Sequence, residues 1–524
     1  MSTAIRRPVP RASVVVVLAL LPALAASATV HHVPGDAATI QAGINLASEG
    51  DTVLVAPGTY SGTGNEYIDF GGTNLVLMSS GGPDVTTLNP GSSDTCFFLH
   101  SGEDTTAVIE GFTIRTAGCA FALTDAGPKL LDCSTESCGK VLWSVRSGAV
   151  IVECRFTGLW GPNYQGLEFE GLPGVTIRDC SFTEVWGAIE LYETSLVLWG
   201  GEFYQTGAFK KGAAVAGWES DVEIHDAVVE ECSPGAAFTN IGVALYFEAC
   251  SGLVDDCVLT RNGYGGGHNN WGTATLDFDW WPLTSEFEFR NTVFYDNEPM
   301  SPTFPGAIHS NARVLVVNGC TIASDNGIGV ALGDSARIEN TLVAFNYHGI
   351  MSDIGDALTV THSCVYGNTQ GDSIPGTHSE NLFVDPLFCD LPNGDVSLDD
   401  DSPCLPANNV WGVQIGARGV GCITDVPEEP VTRFHLHRAA PNPSAGPFRL
   451  AFDVPVAGRE VEIVIYNAAG RMVRTLSTIP GAPGRHTLTW DGRATGGQKA
   501  AAGGYFVRAR CGGEVSRTTL LLVR

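Results

Sequence analysis

Apolar and polar positions alternate along most of this chain, and the alternation comes in short runs that recur. Val175-Thr176-Ile177-Arg178-Asp179-Cys180-Ser181-Phe182 is one copy: an alternating run, a small polar step, a small residue, then one more apolar residue. Aligned on Cys180, the equivalents are Phe112, Cys133, Cys154, Gly201, Ala227, Cys257, Thr292, Cys320, Thr341 and Cys364, at spacings from 21 to 35 residues. Three residues upstream stand Ile109, Leu130, Ile151, Ile177, Leu198, Ile224, Val254, Phe289, Val317 and Ile338. The last copy slips, with Val360 four positions before Cys364.

Alternation with period two predicts strands that point one row of side chains inward. A single copy has nothing to cover its apolar face, so copies must stack to build a continuous core. A 21-residue period is too short for a strand plus a full helix, but holds two or three short strands joined by bends. That is one coil of a parallel β-helix. A β-sandwich would also space strands regularly, but gives no reason for a small residue at one phase of nearly every copy. Stacked coils do, because equivalent inward positions touch at about 4.8 Å.

The ends and interruptions of the pattern set the organisation. Ile40 to Leu46 has apolar residues at helical spacing and is expected to cap the first coil, ahead of Thr52-Val53-Leu54-Val55. Extra residues enter between Ala227 and Cys257 and between Cys257 and Thr292. The second insertion holds Asn269, Asn270 and Trp271, then Asp277, Asp279, Trp280 and Trp281. Insertions in a solenoid project from one side and often form its binding face. The stretch TIQAGINLASEGDTVLVAPGTY, the GFTI at Gly111–Ile114 and the repeated I-x-[DN]-C-x-F coils resemble the pectin lyase-like, right-handed parallel β-helix proteins. The resemblance covers about 30–425 and implies the right-handed, single-stranded parallel β-helix fold. It leaves the activity open, because lyases, hydrolases, epimerases, esterases, adhesins and shafts all use that fold.

Val426-Pro427-Glu428-Glu429-Pro430 reads as a linker, and beyond it the period changes. Alternating runs at Phe448–Phe452, Val461–Tyr466, His486–Trp490 and Tyr505–Ala509, separated by turn signals, predict a small β-sandwich. PNPSAGPFRLAFDVP, VEIVIYNAAGRMVRTL and GRHTLTWDGR resemble the Ig-like domain of the flagellar hook-capping protein and, equally, the sorting domains of type IX-secreted proteins. That implies a secretion or attachment module. The expected division is 1–28 signal peptide, 29–425 β-helix, 426–436 linker and 437–524 sandwich.

Arg6, Arg7 and Arg11, the apolar run Val14–Leu24 and the small residues Ala26-Ser27-Ala28 form a secretory signal, so the protein is expected outside the cell or on its surface. No later run reaches the length of a membrane span. The net charge of −28 is uneven. Thirteen Lys and Arg face fifty Asp and Glu over 29–425, a balance of −37, whereas 426–524 stands at +6. An acidic solenoid repels nucleic acid and anionic membranes. It suits neutral glycans or divalent cations. Fifteen Cys in an exported chain usually signal disulfides, but Cys133, Cys154, Cys180, Cys257, Cys320 and Cys364 share the inward phase and are expected reduced and buried. Cys389, Cys404 and Cys422 lie after the last coil, where Cys389–Cys404 closes the shortest loop and Cys422 is the alternative partner.

No motif compels catalysis. A lyase needs a basic residue near the substrate carboxylate, and only four Lys lie in the solenoid. A hydrolase needs two carboxylates on one face. Asp277 and Asp279, two apart on a strand, fit that, while Glu190 with Glu193 reads as a solvated bend. His268, His309 and His362 form no triad spacing. No cofactor is called for, and Ca2+ is the one ion the tracts Asp353–Asp356 and Asp399–Asp401 would suit. The sequence thus points to a monomeric, non-catalytic surface protein that meets a polysaccharide or cell-envelope component. Trp271, Trp280 and Trp281 would stack on sugars, and Asn269 and Asn270 would bind hydroxyls. The alternative is a polysaccharide lyase or glycoside hydrolase.

Overall fold

A computed structural model describes residues 28–91, 94–159, 165–208, 212–234, 243–263, 272–277, 286–299, 301, 303–333, 335–352, 357–422, 434–436, 448–456, 458–467, 471–479, 484–512 and 514–522. The chain forms two compact units, Met1–Cys422 and Ile423–Arg524.

The first unit is the expected β-helix. Among the described residues its strands stack into three parallel sheets of 15, 13 and 11 strands, and a full coil contributes one strand to each. One coil shows how. Val175–Arg178 lies in the first sheet, Ser181–Val185 in the second and Ile189–Tyr192 in the third. Between the first two, Asp179 takes a left-handed conformation with φ 52°. The same corner residue has positive φ in the neighbouring coils, as at Asp132, Glu153, Asp226, Asn291 and Asn340. Gly, Asn and Asp tolerate this region best, which explains the [DN] in the repeated motif.

The residue after the corner forms the inward ladder, and its register follows the sequence alignment from Phe112 to Thr341. At the last copy the alignment needs correction. Leu342 pairs with Cys364, so the ladder residue opposite Thr341 is Ser363, and Val360 stands three before it like the rest. The ladder side chains also do more than fill space. Cys133 N–H donates to Cys154 Sγ (3.4 Å), Cys320 N–H to Thr341 Oγ1 (3.3 Å) and Thr341 N–H to Ser363 Oγ (3.2 Å). The corner turns these N–H groups away from the sheet ladders, and a small sulfur or hydroxyl restores the partner that a buried donor requires.

A second inner ladder runs beside it. Asn262, Asn297, Asn346 and Asn368 each accept a backbone N–H from the preceding coil at 3.0–3.1 Å. Their amide nitrogens donate to inner carbonyls. Asp325 takes one rung. Its Oδ1 accepts from Asn297 N–H and Nδ2, while its Oδ2 is buried without a partner. Apolar stacking completes the core, as where Phe182 lies between Phe156 and Phe203 at 5.1 and 4.7 Å.

The N-terminal cap is a shorter helix than the spacing suggests, Ile40–Ile44. Thr39 Oγ1 caps it by accepting from Ala42 N–H, and Ile40 and Ile44 bury against the first coil. Gly43 lets it sit close: a Cβ there would meet Val33 and Val53 at 2.9 and 3.0 Å. At the other end the chain folds back over the second sheet. Leu398, Cys404, Leu405 and Ile415 bury against Leu342, Ala344 and Cys364, and Tyr295 OH donates to Leu391 O at 2.6 Å. Here the disulfide expectation is corrected, because Cys389 bonds to Cys422. Both flank the strand Asp395–Leu398, which pairs with Phe388 on one side and bridges to Val420 on the other. Cys404 instead points into the apolar cluster with Cys364 and stays reduced.

The second unit is an antiparallel sandwich. One sheet orders His435–Leu436, Phe448–Val454 and Gly484–Trp490. The other orders Met472–Thr478, Val461–Asn467, Gly503–Cys511 and Glu514–Leu522. Two of these, Met472–Thr478 and Glu514–Leu522, lie beyond those the alternation marks. The linker ends earlier than residue 436, because Phe434 and Leu436 bury in the sandwich core with Phe448, Phe452 and Trp490. Among the described residues no helix is long and apolar enough to cross a membrane.

Candidate functional site

The three outer faces of the solenoid differ. The second sheet is covered near its end by the folded-back chain. The first carries surface ion pairs, including the bidentate Arg290–Asp255 contact at 2.6 and 2.9 Å beside His225. The third carries carboxylates and aromatic rings in register.

Strand alternation leaves two files pointing outward on the third sheet. One runs Phe98, Ala122, Trp143, Glu168, Glu190, Ala216, Tyr246, Thr275, His309, Ala331 and Met351. Beside it, Glu170, Tyr192, Trp218 and Glu248 succeed one another. Phe98 and Trp143 are 37% and 40% exposed. Glu168 next to Trp143 accepts from Lys140 Nζ at 2.6 Å. Glu190 is only 9% exposed and accepts from Tyr192 OH at 3.1 Å. Glu248 accepts from Tyr246 OH at 2.8 Å and Trp218 Nε1 at 3.1 Å. Tyr192 and Trp218 stack at 4.7 Å and 3°, which locks these donors. Burial, then the Glu190 charge, pushes the Tyr192 hydroxyl well above the ordinary phenol range, so it stays a donor. The arrangement fixes three acceptor carboxylates along one face with exposed rings at its N-terminal end. Such a face can bind neutral hydroxyl groups.

The sequence-predicted residues fall unevenly. Asn269, Asn270, Trp271, Asp279, Trp280 and Trp281 lie outside the described residues, as do His268 and Asp353–Asp356. Asp277 ends the strand Ala274–Asp277 of the third sheet, in register with Glu248. Glu190 is the main correction. It does not share a bend with Glu193; it sits in the strand Ile189–Tyr192, while Glu193 is the left-handed residue after it, φ 51°. Ile189 and Leu191 are the inward pair, so the alternation that marks the other strands was present here too. His362 lies at a corner against Glu380 at 3.0 Å, far along the chain from His309 on the third sheet. Among the described residues, the carboxylates of Asp399, Asp400 and Asp401 come within 4.8 Å of one another, with Asp399 Oδ1 capping Asp401 N–H.

Comparison with known proteins adds to the geometry. Residues 96–279 match the family model of the right-handed beta helix region, and residues 442–512 match that of the FlgD Ig-like domain. The chain is a right-handed parallel β-helix followed by a small Ig-like β-sandwich that is similar to the FlgD Ig-like domain. Among curated proteins none matches. Among solved structures, one similar chain is the catalytic unit of a thermostable GH87 alpha-1,3-glucanase from Streptomyces thermodiastaticus strain HF3-3. It is 13% identical with a TM-score of 0.37, and the match covers 66% of this chain and 64% of that one, just under two thirds of its length.

Proposed function

We propose that this β-helix is exported and binds a neutral linear glycan along the outer face of its third sheet, with the Ig-like domain serving secretion or attachment at the cell envelope. One observation carries the reading: exposed Phe98 and Trp143 share a file with the fixed carboxylates of Glu168 and Glu190, at the inter-strand spacing of about 4.8 Å. A linear polymer along the axis meets ring and acceptor in turn. Each exposed ring contributes on the order of 1 kcal/mol, so affinity comes from repetition along the chain. The acidic solenoid disfavours uronates and other polyanions.

A second reading has its own support. Glu168 and Glu190 are direct cross-strand neighbours, about 4.8 Å apart in backbone, and a retaining glycosidase places its two carboxyl groups about 5–5.5 Å apart. One set of measurements separates the two: binding to an array of neutral glycans, with a reducing-end assay on the same polymers. Under the binding reading Trp143→Ala weakens retention about five- to ten-fold for a single exposed ring and no new reducing ends form. Turnover that Glu190→Gln abolishes would replace it with hydrolysis.

A further inference from the structure

The head of the third sheet carries a side-chain cluster that glycan binding does not use. Phe98 and His100 are the exposed residues where the strand Thr95–Leu99 ends. Phe98 stands two strand steps before Trp143, about 10 Å along the axis. His100 meets two partners at once. The Ser101 hydroxyl lies 3.3 Å from its Nδ1, and Asp69 Oδ2 lies 3.6 Å from its Nε2. With the ring proton on Nε2, facing the carboxylate, Nδ1 presents its lone pair to the hydroxyl. This is the serine–imidazole–carboxylate arrangement of nucleophilic catalysis, with the two ring nitrogens exchanged. Such triads are recognised by geometry and roles, and their contacts are often loose until substrate binds.

A chance surface contact would leave its members free to rotate, but here each is fixed from behind. The Gln41 amide of the cap helix donates to Asp69 O at 2.8 Å and accepts from Asp69 N–H at 2.9 Å. Asp69 Oδ1 accepts from Gly71 N–H at 2.9 Å. The Phe98 ring lies 4.6 Å from the imidazole. Glu103, only 2% exposed, accepts from Ser101 N–H at 3.0 Å and from Gly72 N–H at 2.8 Å. It thereby ties the turn of Ser101 to the loop that holds Asp69. Gly102 follows with φ 86°, and a Cβ there would meet nothing within 4 Å. The hydroxyl therefore sits at a sharp turn with open space beside it. The N–H of the residue after a nucleophile is a recurring oxyanion donor, and here that residue is Gly102.

We infer that Ser101, His100 and Asp69 hydrolyse a carboxylic ester carried by a glycan lying on this face. Ser101 Oγ attacks the acyl carbon while its proton passes to His100 Nδ1, and the bond from the acyl carbon to the sugar oxygen breaks. That oxygen leaves as a hydroxyl, taking the proton from His100. Water then attacks the acyl carbon and gives a proton to His100. The bond to Ser101 Oγ breaks, Oγ regains the proton, and a carboxylic acid departs. Ser101 and His100 are the catalytic residues, and Asp69 positions the imidazole. No glycosidic bond is cut, so no reducing ends form. That a glycan carries the ester rests on the glycan-binding reading; the triad does not.

The test gives the full chain p-nitrophenyl acetate, a fluorophosphonate and acetylated xylan. The expected results are a fluorophosphonate adduct on Ser101 by peptide mass spectrometry, release of p-nitrophenol, and release of acetate from the xylan. Ser101→Ala and His100→Gln should each lower turnover about a hundred-fold or more, with thermal unfolding unchanged. Asp69→Asn should lower kcat by a similar factor and leave KM unchanged, a split that a merely structural role would not give. Absence of the adduct, or turnover that survives Ser101→Ala, would overturn the triad. The binding face would still stand, because Trp143→Ala reads it through retention alone. Turnover of p-nitrophenyl acetate with no acetate freed from the xylan would overturn the assignment of the ester to a glycan.

Discussion

Asp325→Asn is expected to stabilise the β-helix by about 4 kcal/mol at pH 8 and to leave it nearly unchanged at pH 4. Burial pushes the Asp325 carboxyl from 3.8 up to about 7; the neighbouring Asp296 charge adds to this, and hydrogen bonds from Asn297 oppose it. With its pKa raised in the folded state, the group's stabilising share is fully present below about 3.8 and is lost as pH rises toward 7. Above that the folded protein holds a buried anion whose Oδ2 has no partner. Asparagine places a donor where its ladder neighbours already have one. Denaturant unfolding from pH 4 to pH 8 checks this through the difference between variant and wild type. A difference that does not grow with pH would show that Asp325 is ionised and satisfied in the folded chain.

Phe182→Ala should cost about 4 kcal/mol, at the upper part of the range for a large ring removed from a rigid core. Phe182 is fully buried and touches rings in the coils on both sides. Coils above and below are held by their own ladders, so the cavity has little room to collapse. The control is Thr183→Ala on the same strand, facing outward, which should fall within about 0.5 kcal/mol of wild type. A loss below about 1 kcal/mol for Phe182→Ala would mean that the coils relax around missing side chains.

The inward positions were the legible part of the chain, because stacking forces each coil to repeat the same small residue after the same bend. Cys133, Cys154 and Cys180 announce the ladder, and only the slip at Ser363 needed coordinates. The asparagine ladder was readable by the same means. From Asn262 through Asn297, Asp325, Asn346 and Asn368 the steps are 35, 28, 21 and 22 residues, the same as those from Cys257 through Thr292, Cys320, Thr341 and Ser363. The outer face was harder. Outward residues do not touch a repeat of themselves in any required way, so the files Trp143, Glu168, Glu190, Ala216 and Glu170, Tyr192, Trp218, Glu248 keep no common letter from coil to coil. Their position becomes visible only once the third strand of each coil is aligned by its inward pairs, such as Ile189 and Leu191. The disulfide escaped for another reason. Loop length favours Cys389–Cys404, but the pairing is set by the strand Asp395–Leu398, which brings Cys389 and Cys422 together and leaves Cys404 to the apolar cluster.

The central claim is that the third sheet is the binding face, and tryptophan footprinting addresses it directly. Trp143 on the third sheet and Trp199 on the first are almost equally exposed, at 40% and 41%. Oxidative labelling with a saturating neutral glycan, read by mass spectrometry, compares the two in one sample. The account predicts protection of Trp143 with Trp199 labelled as in the free protein. Protection of Trp199 with Trp143 unchanged would contradict it and move the binding face to the first sheet.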